Sequence, residues 1–324
     1  MLPLVSILTP TWNRGDYLDR VWNGLNSQTY KNIEWIVSDD GSTDNTAAKL
    51  IELRGKSSFR MIIISASVHI GKSRMDNEAV KVARGEFILW NDSDDYLVPQ
   101  AIEQLVSTWI SIPDEDRNDF VGVTALCGNE HGVISSKLPT LGIFDTTWND
   151  LRVTSQVSGD MLYFTRSDLL KEKPFPEIDF LVPEGVVWTS IGNMRTRVLP
   201  KVLKIVQYGA SNCISFSKKM EYCRGKAFAI AVMGINLEKY PKKFTCRLWD
   251  LITLIRYCVH GEISFRDAIH LWRSNSAMIL IVLMVPFALA LVFKDVLQKK
   301  VKKTHREFQL ACKSVVVLVD GADI

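Results

Sequence analysis

Residues 86–97 read EFILWNDSDDYL, an apolar run from Phe87 to Trp90 followed at once by three carboxylates in four positions, Asp92, Asp94 and Asp95. A short apolar run between turn residues is the mark of a strand buried on both faces, as the strands of a parallel sheet are. Charge directly behind such a run sits at the strand's C-terminal end, the edge where open parallel sheets bind ligands. The same conjunction occurs twice upstream. LVSIL (4–8) runs into TPTWNR, and IEWIV (33–37) runs into SDDGSTD. Three polar clusters at three strand ends predict one common edge.

The intervening segments carry helical spacing. Leu18, Val21, Trp22 and Leu25 predict a helix over Asp16–Ser27, and Asp44 is placed to cap a second helix running to about Leu53. RMIIIS is a third strand. Met75, Ala79, Val80 and Val82 predict a helix over Ser73–Ala83, with Gly85 as its stop before the fourth strand. Strand and helix in alternation predict an α/β fold, a Rossmann-like mostly parallel sheet flanked by helices. Pro99–Ile110 reads as a further helix. The parallel pattern ends at FVGVTALC and HGVISS, which are joined by GNE as a hairpin. Beyond about residue 218 the pattern is mainly helical, so the expected division is a first domain over 1–217 and a helical region over 218–324.

The totals exclude several classes. A chain of 324 residues, 47% hydrophobic, can bury a full core, and a net charge of only +3 gives no footprint for nucleic acid. The six cysteines include no CxxC pair, which fits neither a zinc site nor a disulfide scaffold, and a reduced, intracellular chain is expected. MLPLVSILTPTWNR has no basic segment before its apolar run, so a cytoplasmic location is expected.

Each acidic cluster has a plain reading and a chemical one. Asp92, Asp94 and Asp95 can merely solvate a loop or cap the next helix, but carboxylates this close repel unless they share a cation, and oxygen-only donors suit Mg2+ or Mn2+. In Asp39-Asp40-Gly41-Ser42-Thr43-Asp44, a strand-to-helix turn explains Gly41 through a positive φ and Asp44 through capping. It leaves two adjacent carboxylates to account for, and a carboxylate at a sheet edge can accept from a base imide or a ribose hydroxyl. Arg14 reads equally as a surface charge. His69 and His131 have no partners at ligand spacing and read as structural.

In this order, SILTPTWNRGDYLDR, NSQTYKNIEWIVSDDGSTDNT, GKSRMDNEAVKVARGEFILWNDSDD, VSGDMLYFTRSDLLKEKPFPE and VPEGVVW resemble the family 2 glycosyltransferases of the bacterial surface-polysaccharide type, inverting enzymes with the nucleotide-sugar-binding GT-A fold. The resemblance covers about residues 3 to 215. It implies that Thr9, Pro10 and Thr11 line a nucleobase pocket, that Asp40, with Asp39, faces the base, and that Arg14, Arg74 and Asn77 lie where the family contacts the donor. It makes Asp92 the carboxylate near the ribose and a metal ligand, Asp94 the principal ligand of Mn2+ or Mg2+, and Asp95 either a support for the metal or a more distant residue. Asp160, in SGDM, is placed near donor and acceptor sugars. A nucleotide-sugar donor, most simply a UDP-sugar, and a glycan or polyprenyl-linked acceptor follow.

Inversion needs a base. Glu184, in the apolar FLVPEGVVW, is the expected one, against a silent helix-start carboxylate behind Pro183; Asp160 and Asp179 compete for the role. The family often shows Glu-Asp here, whereas this chain has Glu184-Gly185. Trp188 reads as an acceptor-stacking ring or as core. A nucleotidyltransferase would show a Gly-rich loop after the first strand where TPTWNR stands, and a non-catalytic binding protein would not need its acidic cluster.

AMILIVLMVPFALALVF (277–293) precedes KDVLQKKVKKTHR. It can span a membrane, lie in a leaflet with its lysines at anionic headgroups, or form a buried helix. Pro286 and the positive-inside rule weigh against spanning, and contact with the cytoplasmic face of the plasma membrane is the expectation. SVVVLVDGADI reads as a short apolar strand.

Overall fold

The computed structural model describes residues 2–178, 180–207, 222–236, 244–264, 277–297, 315–319 and 322–323. Asp179 and the lysine-rich stretch 298–306 lie outside the described residues. The chain divides into two compact units, one of residues 1–177, 191–210 and 309–324, the other of 178–190 and 211–308.

The first unit is built on one sheet. Its strands are β1 (Val5–Thr11), β2 (Ile33–Asp39), β3 (Arg60–Ala66), β4 (Phe87–Trp90), β5 (Tyr96–Leu97), β6 (Phe120–Asn129), β7 (Gly132–Val133), β8 (Phe144–Thr147), β9 (Met161–Arg166), β10 (Arg195–Ile205), β11 (Val315–Val319) and β12 (Ala322–Asp323). They run in the order β12-β11-β3-β2-β1-β4-β9-β6-β10-β5, with β7 beside β6 and β8 beside β10. Helices α1 (Leu18–Asn26), α2 (Thr46–Lys56), α3 (Lys72–Val82), α4 (Ala101–Ile110) and α5 (Ser167–Glu172) accompany it.

The first four strands and their helices stand where the apolar runs placed them. β3, β2, β1 and β4 are parallel neighbours, and Ile7, Trp35, Ile36, Ile62 and Phe87 are fully buried among them. Burying each such side chain contributes about 1.5–3 kcal/mol relative to exposure. α1 buries Leu18, Val21 and Leu25 at helical spacing. Past β4 the sheet is mixed rather than mostly parallel: β9 runs antiparallel to both β4 and β6, and β11 antiparallel to β3. Antiparallel neighbours need no crossover helix, so the helix-strand alternation that signals a parallel sheet is missing here.

Register fixes which ends meet. Thr11 lies beside Asp39, and Leu8 beside Trp90. Leu89 faces Phe164 on the antiparallel β9, so Asp160, just before β9, comes to the edge reached by the C-terminal end of β4. β10 runs parallel to β6 with Lys204 beside Cys127, a free buried thiol, and ends at the same edge.

The second unit contains α6 (Gly185–Ile191), α7 (Cys223–Asn236), α8 (Phe244–His260) and α9 (Ala277–Leu297). Val182, Val186 and Ala229 form one small core, and Leu251, Ile255 and Ala288 another. The buried Asp295 of α9 accepts from Arg256 Nε at 2.6 Å and Nη2 at 2.5 Å, and lies 3.1 Å from His260 Nε2, joining α8 to α9. Among the described residues no helix is long and apolar enough to cross a membrane.

Candidate active site

The strand ends of the first unit carry the side chains the sequence singled out. Thr9 is buried at the end of β1; its hydroxyl donates to the Asn91 carbonyl at 2.8 Å and accepts from Trp35 Nε1 at 3.0 Å, tying β1 to the turn after β4. Pro10 lies beside Ser38, and Thr11, buried beside Asp39, has a hydroxyl with no partner among the described residues.

The turn 91–95 is braced from within. Asp95 N–H donates to the Asp92 carbonyl at 3.0 Å, and Asn91 Nδ2 donates to the Asp95 carbonyl at 3.2 Å. Its three carboxylates then part. Asp94 Oδ2 accepts from Arg14 Nη1 at 2.9 Å, in a pair whose side chains are 14% and 9% exposed. Asp95 turns inward, 3.0 Å from Lys204 Nζ, and also accepts from the Gln207 N–H at 3.3 Å. Asp92 is left open, 44% exposed and 3.9 Å from Lys204 Nζ. The two expectations for Asp95, metal support or a place further back, therefore meet a buried ion pair.

Charge follows this geometry. Burial pushes the Asp95 carboxyl up to about 6, against the pull of Lys204 and with Asp92 and Asp94 adding to the rise. Burial also disfavours the Lys204 ammonium, but Asp95 and Asp92 outweigh it and the ammonium is held above its ordinary value. For Asp92 desolvation again opposes ionisation, and the charges of Lys72, Lys204 and Arg14 overcome it, holding the carboxyl below the usual range.

Asp39 and Asp40 divide differently. Asp39 is buried and accepts from the Ser42 N–H at 3.2 Å; burial, partly offset by Ser42, raises it. Asp40 accepts from Ile70 N–H at 2.6 Å and Gly71 N–H at 3.0 Å, with His69 Nδ1 2.9 Å away, so it fastens the segment before α3 to the end of β2. Gly41, at φ +69°, makes this approach possible, because a Cβ there would collide with the backbone of Val68.

Two residues absent from the sequence-derived set join this corner. The Trp12 ring stacks on His69, centroids 4.3 Å apart and planes 21° from parallel. His69 was expected to be structural, and Trp12 carried no expectation. Trp12 in TPTWNR is the only sequence signal for the pair, since the loops that bring the rings together follow different strands.

On α3, Arg74 is half-buried and Asn77 buried. The Asn77 amide is committed to the Phe175 backbone at 2.8 and 2.9 Å and to Glu177 at 2.9 Å, holding the PFPE segment. Asp160 is exposed and follows Gly159, whose φ is +86°.

Glu184 belongs to the second unit. It is exposed rather than enclosed by its apolar neighbours, because Val182 and Val186 turn into the core of that unit and leave residue 184 outside. Its carbonyl accepts from Val187 and Trp188 N–H, opening α6, and Trp188 is buried in accord with the core reading.

Among the described residues no group of three or more His, Cys, Asp or Glu side chains forms a complete metal cage. Magnesium and manganese are commonly held by one or two carboxylates with phosphate oxygens completing the shell, and an open Asp92 beside Asp94 fits that donor chemistry.

The mixed sheet flanked by helices, with these carboxylates at the ends of its parallel strands, is an α/β domain of the GT-A type. Residues 6–133 match the model of Glycosyl transferase family 2. The chain is 24% identical over 208 residues to the Campylobacter jejuni GalNAc(5)-diNAcBac-PP-undecaprenol beta-1,3-glucosyltransferase, a match covering 63% of this chain and 64% of that protein. It is 36% identical over 105 residues to the Escherichia coli UDP-Glc:alpha-D-GlcNAc-diphosphoundecaprenol beta-1,3-glucosyltransferase WfaP, covering 32% of this chain and 41% of the relative. The chain thus spans less than two thirds of the length of both relatives. The fold matches Staphylococcus aureus TarS 1–349 in complex with UDP-GlcNAc, with a TM-score of 0.57 at 19% identity over 89% of this chain and 81% of that one.

Proposed function

We propose that this chain is an inverting glycosyltransferase that moves one sugar from a nucleoside-diphosphate sugar, a UDP-sugar, to a hydroxyl of a glycan or polyprenyl-diphosphate-linked acceptor in polysaccharide synthesis. The observation that carries the reading is the convergence of Thr9–Arg14, Asp39–Asp40 and the 91–95 turn at one sheet edge. The relatives' names, which specify sugar transfer to diphosphoundecaprenol-linked glycans, support the donor and acceptor classes.

Thr9, Pro10, Thr11, Asp39 and Asp40 shape the nucleobase end, with Arg74 and Asn77 behind it. Asp92 and Asp94 would hold Mn2+ or Mg2+, which when bound neutralises charge on the departing diphosphate. Arg14 places a fixed guanidinium beside them for the phosphates. Asp160 contributes to sugar binding. Glu184, as base, takes the acceptor hydroxyl's proton as its oxygen attacks the anomeric carbon and the nucleoside diphosphate leaves.

The acceptor class agrees with the outer face of α9. Leu283, Phe287, Phe293 and Val296 are exposed there while Ala288 and Asp295 face inward, an apolar surface suited to the headgroup boundary of the cytoplasmic leaflet.

Purified protein incubated with UDP-, GDP- and dTDP-sugars, Mn2+ and a diphosphoundecaprenol-linked glycan should release UDP. Absence of binding or turnover with every donor, or an Asp94→Ala variant as active as wild type, defeats the reading. Glu184→Gln should bind donor and lose transfer; retained transfer moves the base to Asp160 or Asp179.

A further inference from the structure

Lys204 stands in the apolar stretch VLKIV at the end of β10 and is 7% exposed. A buried lysine without a counter-charge gives up its proton, whereas this one is held charged by two carboxylates of the 91–95 turn, Asp95 at 3.0 Å and Asp92 at 3.9 Å. The third group beside it is the Cys127 thiol, which burial pushes up to about 12 and so keeps neutral. Asp95 is further clamped by the Gln207 N–H, so the Lys204 ammonium and the end of β10 together fix the inner side of the turn.

We propose that Lys204 is a positioning residue of the donor site, a permanent internal cation that cancels Asp95, draws on the charge of Asp92 and thereby sets how tightly the turn holds a divalent ion. The proposal rests on the metal-dependent transferase reading. Its physical content is a charge count. Asp92, Asp94 and Asp95 bring three negative charges and Arg14 and Lys204 return two positive ones, leaving a net single negative charge among these five groups, with the nearby Lys72 paired to Asp76 at 2.9 Å. Without Lys204 the same turn would present two. It would hold a bare divalent cation more firmly and a nucleoside diphosphate less firmly. At 9% side-chain exposure, Lys204 acts through the carboxylates rather than by touching the ligand.

The sign of the effect separates this role from a merely structural one. Binding of Mn2+ alone, and of UDP without metal, is measured by calorimetry on the full chain, with melting temperature followed in parallel. Lys204→Met should bind Mn2+ about tenfold more tightly, the scale of one unit charge acting across a few ångströms of partly hydrated site, and UDP more weakly. Lys204→Arg should restore both affinities. Asp95→Asn should weaken Mn2+ binding, and the double variant Asp95→Asn/Lys204→Met, which restores the charge count and leaves no buried charge alone, should return near wild type. The double variant keeps the test valid if Lys204→Met fails to fold, since a double variant far from wild-type Mn2+ affinity overturns the proposal. Unchanged or weakened Mn2+ binding in Lys204→Met, beside a wild type that binds Mn2+, overturns the role of Lys204 alone. A wild type that binds neither Mn2+ nor UDP overturns this role together with the transferase reading.

Discussion

Arg14 Nη1 lies 2.9 Å from Asp94 Oδ2, so the end of the first strand and the turn after the fourth are joined by a largely buried ion pair. Removing either partner leaves a charge in a place built for two, and the loss should reach about 2–4 kcal/mol. Arg14→Met and Asp94→Ala should each lower the melting temperature. Asp94→Ala should also cut transfer at least about a hundredfold if the cation stabilises the leaving diphosphate, since each tenfold corresponds to about 1.4 kcal/mol. Equal melting temperatures for wild type and both variants would remove the pair from the stabilising contacts.

Asp40 receives two backbone N–H groups and the His69 ring. Asp40→Asn keeps the shape but replaces an acceptor pair by one acceptor and one donor, which must then face an N–H. A cost of about 1–3 kcal/mol is expected. Because the same loop carries the Trp12–His69 stack, UDP affinity should fall with stability. Full UDP affinity in a folded Asp40→Asn protein would confine Asp40 to loop support.

In the second unit, burial opposes ionisation of Asp295, but hydrogen bonds from Arg256 and His260 outweigh it and hold the carboxyl below its ordinary value. A carboxyl lowered on folding stabilises the fold above its unfolded pKa, and that contribution is lost as pH falls through the lowered folded value. Thermal melts should therefore lose stability below about pH 4, the ordinary carboxylate range. Asp295→Asn should melt earlier at pH 7, by about 2–4 kcal/mol, with a smaller drop on acidification. An acid profile identical to wild type would dismiss the contribution.

The exposed Phe287 and Phe293 of α9 test the membrane expectation. Wild type should sediment with vesicles containing anionic lipid, and Phe287→Asp/Phe293→Asp should bind at least about tenfold more weakly, since each buried aromatic ring is worth roughly 2 kcal/mol. Equal sedimentation by both proteins would place the contact elsewhere.

The parallel half of the sheet was legible because its rules are local. Runs such as VSIL, IEWIV and FILW, each followed by polar residues, fix strand, burial and strand-end edge without knowledge of any partner. β9 was not legible as an antiparallel insertion between β4 and β6, since MLYFTR looks the same whichever way it runs.

Within the candidate site the acidic residues announced themselves by proximity in sequence, and their partners did not. Asp92, Asp94 and Asp95 are adjacent in the chain but end in three environments: open, paired with Arg14, and buried on Lys204. Lys204 in VLKIV and His69 in SVHI carry no local mark, and the exposure of Glu184 depends on which way Val182 and Val186 turn. The sequence by itself determined the strand-end carboxylates and their placement on one edge, because hydrophobic periodicity and turn chemistry act over a few residues. Only the tertiary structure decided which carboxylate keeps its charge for a ligand, because that depends on cations and backbone N–H groups delivered by strands and loops distant in the chain.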